Sequence, residues 1–363
     1  MSAQQMSSEA TAKRNLKMQP DYNRSSRNQA SSLQRFKPFI DAAVAAHTSD
    51  LTESRGPFVI ADFGCSTGLN SSDAVSHLIR EVRAKYASSQ SCSSVLVVLN
   101  DMPHNQWSVL FDFLNGDQRS FLKQLPGVFA VTSGISFYDQ VLPPSSLQIG
   151  ISNICLHWCS QLPTKLSNHG FSLFGTEKEQ EAFRKQAAKD WGSFLQARSK
   201  ELVKGGVIVA NFLSSQDKAA SIFDEIYKSV EALRSRGVIE SEELVNFNCP
   251  ICFRSVEDVS EPSQYERLGL ELLRAEALPQ SRSTYYEDFL QHGDLDRFVS
   301  EYVNSCRVTC ESTFSDALNA ARSEADKAAV CAELWVEHRA RVARQPRLFE
   351  FTWRTVGVVL RKL

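Results

Sequence analysis

In VIADFGCSTGLNSSDAV, Asp62 ends an apolar run, Gly64 and Gly68 follow it, and helical spacing begins directly afterwards. In an open parallel sheet, ligands bind outside the carboxyl ends of the strands, where such a turn would lie. A dinucleotide-binding turn reads G-x-G-x-x-G, which seats a pyrophosphate on the helix N-terminus. Here the spacing is G-x-x-x-G, and no GKS or GKT supplies a phosphate loop. A carboxylate at Asp62 repels phosphate and attracts an amino group or a sulfonium. S-adenosylmethionine carries both and no phosphate. Asp101 ends a second apolar run, LVVLND, where an acid can accept hydrogen bonds from two ribose hydroxyls, and Asn70 can add a polar contact. The plainer alternative is that the glycines serve helix–strand packing and that Asp101 caps a helix before Met102-Pro103.

These residues need elements that bring them to one edge. FVIADF and VLVVLND are short continuous apolar runs, the pattern of strands buried on both faces. Helical spacing covers Ser26 to Ala46, with Leu33, Phe36, Ile40 and Val44 on one face, and again runs from Gly68 through Ala84. GVFAVTSGISFY holds a third strand, and SLQIGISNICLHW a fourth that ends near Ser152. A charged helix from Thr176 to Val203 is then broken by Gly205-Gly206, and VIVANFL is a fifth strand. This alternation predicts a doubly wound α/β sheet. From about 217 to 345 the patterns are mostly helical. LGLELLRA returns one strand, and LFEFTWRTVGVVLRKL reads as the last. The boundaries expected are a leader over 1–20, a core over 21–216 and 346–363 with contributions from about 217–240 and 265–280, and a helical cap over about 240–345.

Composition limits the partners. The chain has 363 residues, 42% hydrophobic and 23% charged, with a formal net charge of -2, so no general attraction to a phosphate backbone is expected. No apolar run approaches the ~18 residues of a membrane span. MSAQQMSSEATAKRN lacks the apolar stretch of a secretory signal and reads as a polar leader. The nine cysteines, an odd number in a long chain, read as free thiols of a cytoplasmic protein. Cys249 and Cys252 have the spacing of half a zinc knuckle and Cys306 and Cys310 lie a helical turn apart, but no His-x-x-x-His accompanies them.

ADFGCSTGLNS, LNDMPHNQWSVLF, GISFYDQVLPPSSLQIGISNICLHWCSQLP and FLQARSKELVKGGVIVANFL run in order from about residue 20 to 215. Together they resemble the motifs of the SABATH family of plant methyltransferases. The resemblance implies a Rossmann-like core with a seven-stranded, mostly parallel sheet and an inserted helical cap. It also implies a homodimer and methyl transfer from S-adenosylmethionine to the carboxylate of a small, aromatic acid, with S-adenosylhomocysteine as product. On that resemblance Tyr22, Ser26, Asp62, Gly64, Asn70, Asp101, Met102, Ser136 and Phe137 line the cofactor site. Gln29 and Trp158 hold the acceptor carboxylate, and Tyr22, Ile154, His157 and Phe223 shape its pocket. Ile154 stands where the family is often aromatic. Asn168, Phe247 and Asn248 fit the family's metal contacts, but the acid before F-N is missing, so no metal is expected. Neither nucleic acid nor membrane is an expected partner.

A carboxylic acid of pKa ~4–5 is already ionised near neutral pH, so methylating it requires no general base. It requires an oxygen placed opposite the leaving sulfur and stripped of water. The amide N–H of Gln29 and the indole N–H of Trp158 can orient a carboxylate without an ion pair. Two alternatives stay open: a thiol, thioacid or ring nitrogen as acceptor in the same fold, and a protein that binds S-adenosylmethionine without turnover.

Overall fold

The computed structural model describes residues 18–49, 56–87, 92–215 and 220–363. Residues 1–17, with Lys17 and most of the expected leader, lie outside them. The helices are α1 (Tyr22–Ser25), α2 (Arg27–Ala46), α3 (Leu69–Lys85), α4 (Trp107–Gly116), α5 (Phe121–Gln124), α6 (Glu177–Glu201), α7 (Ala220–Ser235), α8 (Ser241–Asn246), α9 (Ser263–Glu266), α10 (Thr284–His292), α11 (Leu295–Ala317) and α12 (Glu324–Arg344). The strands are β1 (Phe58–Phe63), β2 (Val95–Asp101), β3 (Val128–Gly134), β4 (Leu147–Asn153), β5 (Leu202–Leu213), β6 (Leu270–Ala277), β7 (Ser281–Arg282), β8 (Thr352–Trp353) and β9 (Thr355–Lys362).

Seven strands form one sheet in the order β3-β2-β1-β4-β5-β9-β6. All pairs from β3 to β5 are parallel, while β9 runs antiparallel to both β5 and β6. The α/β expectation and the mostly parallel sheet are thus borne out. The apolar runs are continuous because both faces are covered. α2 and α3 pack one side with Leu33, Phe36, Ile40, Val75, Leu78 and Val82. α6 packs the other with Trp191, Phe194 and Leu195. A capping box starts α6, in which Thr176 accepts from the Glu179 N–H and Glu179 accepts from the Thr176 N–H.

The Gly205-Gly206 pair does not break the chain between helix and strand, as its composition suggests. β5 begins at Leu202 and continues through both glycines. Gly205 sits at φ +75°, and a Cβ there would lie 2.7 Å from the backbone of Thr48 and Ser49, where the exit of α2 crosses the strand. The register with β4 shifts over the same stretch. The glycines therefore mark a bulge and a close backbone approach inside the strand.

A separate apolar cluster joins α7, α10, α11 and α12 through Ile226, Val230, Tyr285, Tyr302, Phe314, Leu334 and Trp335. α7 packs on α12 rather than on the sheet. The polypeptide from Gln19 to Asn28 straps this helical assembly to the core. On the helical side, Asp21 pairs with Arg307, Arg27 pairs with Asp288 and Glu301 at 2.8 and 2.6 Å, and the Tyr285 hydroxyl donates to the Ser25 carbonyl at 2.7 Å. On the core side, Asn23 and Ser26 bond to the start of α3, as described below.

Candidate active site

β1 lies between β2 and β4, so the chain leaves its two neighbours in opposite directions and a crevice opens beyond their carboxyl ends. A cavity of about 420 Å³ occupies it, within the size range of small-molecule sites. Of the residues expected at the site, Tyr22, Gln29, Asp62, Gly64, Asn70, Asp101, Met102, Ser136, Phe137, Ile154 and Trp158 line it.

Three expected residues do not. Ser26 is buried beneath the wall and accepts a hydrogen bond from the Asn70 amide at 3.0 Å. His157 is buried, and burial, aided by the nearby Arg254 guanidinium, pushes its imidazole down to about 3, so it is neutral near neutral pH. Phe223 packs on Phe171 at 4.7 Å between ring centroids, inside the helical cluster.

The glycine turn is set by its backbone. Gly64 and Gly68 have φ of +101° and +100°. The Gly64 and Cys65 N–H groups both donate to the Asn100 carbonyl at 2.9 and 3.0 Å. The room a Cβ would need is taken by protein: Cys155 Sγ would be 2.3 Å away at Gly64, and Leu110 Cδ1 2.6 Å away at Gly68. The close approach these glycines allow is thus of one chain segment to another.

Asp62, Asp101, Asp139 and Asp190 line the cavity, the first two near the ends of β1 and β2. Burial, with Asp101 adding to it, raises the Asp62 carboxyl to about 7. Burial also raises Asp101, against the hydrogen bonds its carboxylate accepts from the Met102 and Ser66 amides. Two acids close together in a sheltered crevice make a site for a cation. Lys189 is the one basic side chain that lines the cavity among the described residues.

The acceptor candidates reach the same space from different elements. Gln29 comes from α2, and its Oε1 is buried without a hydrogen-bond partner. Trp158 comes from the loop after β4. That loop is held by the Tyr138 hydroxyl donating to the Trp158 carbonyl at 2.7 Å and by an antiparallel bridge between Trp158 and Ile251. Ile154 has φ +55°, an uncommon conformation for a β-branched residue, and its N–H donates to the Asn211 carbonyl at 2.7 Å.

Sequence reasoning missed the residues that hold this arrangement. Asn23 donates to the Thr67 carbonyl at 2.9 Å and accepts from the Thr67 hydroxyl at 2.8 Å and the Leu69 N–H at 3.1 Å, so the strap closes on the first turn of α3. A fully buried Arg198–Glu201 pair carries the loop after β3: Arg198 donates to the Phe137 and Asp139 carbonyls at 2.8 and 2.9 Å, and Glu201 accepts from the Leu142 N–H at 3.0 Å. An isolated Asn after Tyr22 and two charges late in an amphipathic helix carry no signal of such roles. Met18, Asn153, Thr309 and Ser312 also line the cavity.

The metal pattern resolves into loop structure. Asn248 accepts from the Leu166 N–H at 2.6 Å and donates to the Val245 carbonyl at 2.6 Å, while Asn168 is exposed. Among the described residues the one cluster of potential metal ligands is Asp41, His77 and Glu81 on α2 and α3, and none of these lines the cavity. All nine cysteines are free. No helix among the described residues is long and apolar enough to cross a membrane.

Comparison with known proteins agrees with the geometry. A loganic acid methyltransferase solved with SAH shares the fold, with a TM-score of 0.76 over 94% of this chain and 96% of that one, at 23% identity. The chain is 32% identical to loganic acid O-methyltransferase of Catharanthus roseus over 220 residues, which cover 56% of this chain and 57% of the relative. It is 31% identical to salicylate carboxymethyltransferase of Clarkia breweri over 231 residues, which cover 59% and 62%. The chain thus spans about three fifths of the length of these relatives. A family model described as SAM dependent carboxyl methyltransferase matches residues 14–342, and with the sheet order and the lined crevice this establishes that the chain belongs to that family, the one its motifs resemble.

Proposed function

We propose that the protein transfers a methyl group from S-adenosylmethionine to the carboxylate of a small acid, giving a methyl ester. The observation that carries this reading is the donor set of the cavity: Gln29 and Trp158 beside the acids Asp62 and Asp101, with no arginine among the described residues of the wall. The crevice suits this cofactor. Asp62 would face its ammonium, Asp101 its ribose hydroxyls, and Met102 and Phe137 offer flat apolar surface to a base. When bound, the cofactor supplies an electrophilic methyl on a sulfonium.

The protein's own residues position and shelter. The Gln29 amide and the Trp158 indole donate to the acceptor oxygens without the ion pair that would stabilise the ground-state anion as much as the transition state. The strap from Gln19 to Asn28 covers the crevice and keeps water from the reacting oxygen. Proton abstraction is not needed, since the acid arrives ionised, and the neutral, recessed His157 is not called on. The helices α7, α8 and α10 to α12 act as a cap over the acceptor end. With this reading go the cytoplasmic location and the homodimer that the family resemblance implies.

The test is an acceptor screen with methyl-labelled S-adenosylmethionine against aromatic acids, fatty-acid-derived acids, thiols and purines. Acids should yield labelled, base-labile ester, and Trp158→Phe should lower kcat/KM by about ten- to a hundredfold, the worth of one hydrogen bond to a charged group. Methylation of thiols or purines but not acids would overturn the carboxyl assignment. Cofactor binding without turnover of any acceptor would overturn the enzymatic one.

A further inference from the structure

The Arg254 guanidinium is buried, and no carboxylate pairs with it among the described residues. Its Nη1 donates to the Leu156 carbonyl, its Nη2 donates to the Ala187 carbonyl at 2.8 Å, and its Nε has no hydrogen-bond partner. Buried charges are normally paired. Two thiols stand beside this one. An antiparallel bridge joins Trp158 to Ile251, the Cys159 N–H donates to the Pro250 carbonyl at 2.7 Å, and the Cys252 N–H donates to the His157 carbonyl at 2.8 Å. The two segments thus lie side by side, and Cys159 and Cys252 meet in a small apolar cluster with Leu166, Phe183 and Ala187. The Cys159 thiol donates to the Cys252 sulfur. That bond, with the Arg254 charge behind it, pulls the Cys252 thiol down against burial and Asp190, and the same bond pushes Cys159 up. Burial pushes the thiols of Cys65, Cys155, Cys306 and Cys310 up instead. A thiolate favoured by a guanidinium is the setting of a reactive cysteine rather than an inert one. Cys159 lines the cavity, so the pair is reached from there.

We infer that Cys159 and Cys252 form a dithiol that a hydroperoxide oxidises to a disulfide, at a point adjoining the tryptophan that positions the acceptor. The Cys252 thiolate attacks one peroxide oxygen and the O–O bond breaks. The sulfur becomes a sulfenic acid, and the other oxygen takes up the proton that Cys252 had lost and leaves as water or an alcohol. The Cys159 sulfur then attacks the sulfenic sulfur, the S–S bond forms, and hydroxide leaves with the Cys159 proton as water. Two thiol hydrogens and two electrons thus pass to the peroxide. The consequence falls on Trp158, which Cys159 follows directly. Sulfurs in hydrogen-bond contact must draw closer to be bonded, so the loop after β4 is pulled toward the segment 249–254 and the indole moves with it. Asp62 and Asp101, on β1 and β2, stay where they are. Oxidation therefore lowers acceptor turnover and spares cofactor binding. That effect rests on the carboxyl-methylating reading above, whereas formation of the disulfide does not.

The experiment treats the full chain with hydrogen peroxide at rising excess, quenches by alkylation and maps the thiols by mass spectrometry without reduction. A cross-link between Cys159 and Cys252 should form at the lowest excess that oxidises any thiol, be reversed by dithiothreitol, and be absent from Cys252→Ser. The wild-type map and its reversal decide the point even if that variant fails to fold. Another disulfide formed first, or oxidation of these two sulfurs to sulfinic acid without a cross-link, overturns the dithiol. Turnover is followed on the same samples, with an acid taken from the acceptor screen. Oxidation should lower kcat/KM by about tenfold or more, as expected for a misplaced positioning group, and dithiothreitol should restore it. Binding of S-adenosylhomocysteine, measured by calorimetry, should stay unchanged, and Cys252→Ser should keep its activity through the same treatment. Undiminished turnover by the cross-linked protein overturns the effect on Trp158. If the reduced protein methylates no acid although the cofactor binds, the carboxyl reading falls, and the thiol map still decides the dithiol.

Discussion

The Asp101 carboxylate, at the end of β2, accepts the backbone N–H of Ser66, in the glycine turn after β1, at 2.7 Å. Its other oxygen accepts the Met102 N–H at 2.8 Å. One side chain thus fixes the turn and holds itself rigid, with lone pairs left on both oxygens for a ligand.

An amide at this position has a single acceptor oxygen and must give up one of the two backbone bonds. Asp101→Asn should therefore weaken binding of S-adenosylhomocysteine by about tenfold or more, with a smaller loss of Tm, each hydrogen bond being worth about 1 kcal/mol. Calorimetry with the variant reads this directly, and unchanged affinity would remove Asp101 from the site.

Asp62 predicts a pH dependence of cofactor binding. Its carboxyl is raised to about 7, chiefly by burial. A cation binds the ionised form better, so affinity should rise as pH increases from 6 to 8, by at most about tenfold per unit below the folded-state value. Asp62→Asn should flatten the profile. A profile that falls with pH, or one that the variant leaves sloping, would contradict a cation at Asp62.

Gly64→Ala should fail on two counts. The residue adopts φ +101°, and its new Cβ would meet Cys155 Sγ at 2.3 Å. A left-handed conformation alone costs an L-residue about 1–2 kcal/mol. Thermal unfolding should show a Tm lower by several degrees, with loss of cofactor binding. A variant of wild-type Tm would mean that the turn relaxes freely.

Four buried histidines set the acid limit. His47, His169 and His338 are lowered to about 4 and His157 to about 3, in each case mainly by burial. Between about pH 4 and 6.5 the unfolded chain binds protons that the folded chain does not, so stability falls as pH falls. Asp62 has the opposite sign, because its raised carboxyl keeps a proton in the folded state up to about pH 7. Burial also raises Asp101 and Glu311, which act with Asp62, so the net loss on acidification is smaller than the four histidines alone would give, each group counting for at most about 1.4 kcal/mol per pH unit. Denaturant titrations at pH 5 and 7 should show the lower midpoint at pH 5, and equal midpoints would mean that these histidines titrate normally.

Much of the core was legible because its signals are local. Apolar runs and helical spacing marked β1, β2, α2 and α3, and the acids at the ends of β1 and β2 pointed to the cavity that Asp62 and Asp101 line. What the sequence hid is contact between distant segments. Nothing near Asn23 indicates Thr67, and nothing near Arg198 indicates the Phe137 carbonyl. Spacing also says which element carries a side chain, not which neighbour takes the space. His157 and Trp158 are adjacent, yet only Trp158 lines the cavity. Gly205-Gly206 read as a stop because composition cannot show that Thr48 and Ser49, just past α2, pass within a Cβ of the strand.

The placement of β9 has a consequence for how this chain acquires its structure. The strand sits between β5 and β6 and pairs with both, yet Thr355–Lys362 follows every helix of the second cluster. During synthesis β5 therefore presents an unpaired edge until about 360 residues have been made. Such an edge is a template for wrong partners, and contacts this distant in sequence form slowly. Loss of a few residues from β9 should accordingly be felt first as aggregation of newly made chains, before any effect on the crevice at the other end of the sheet.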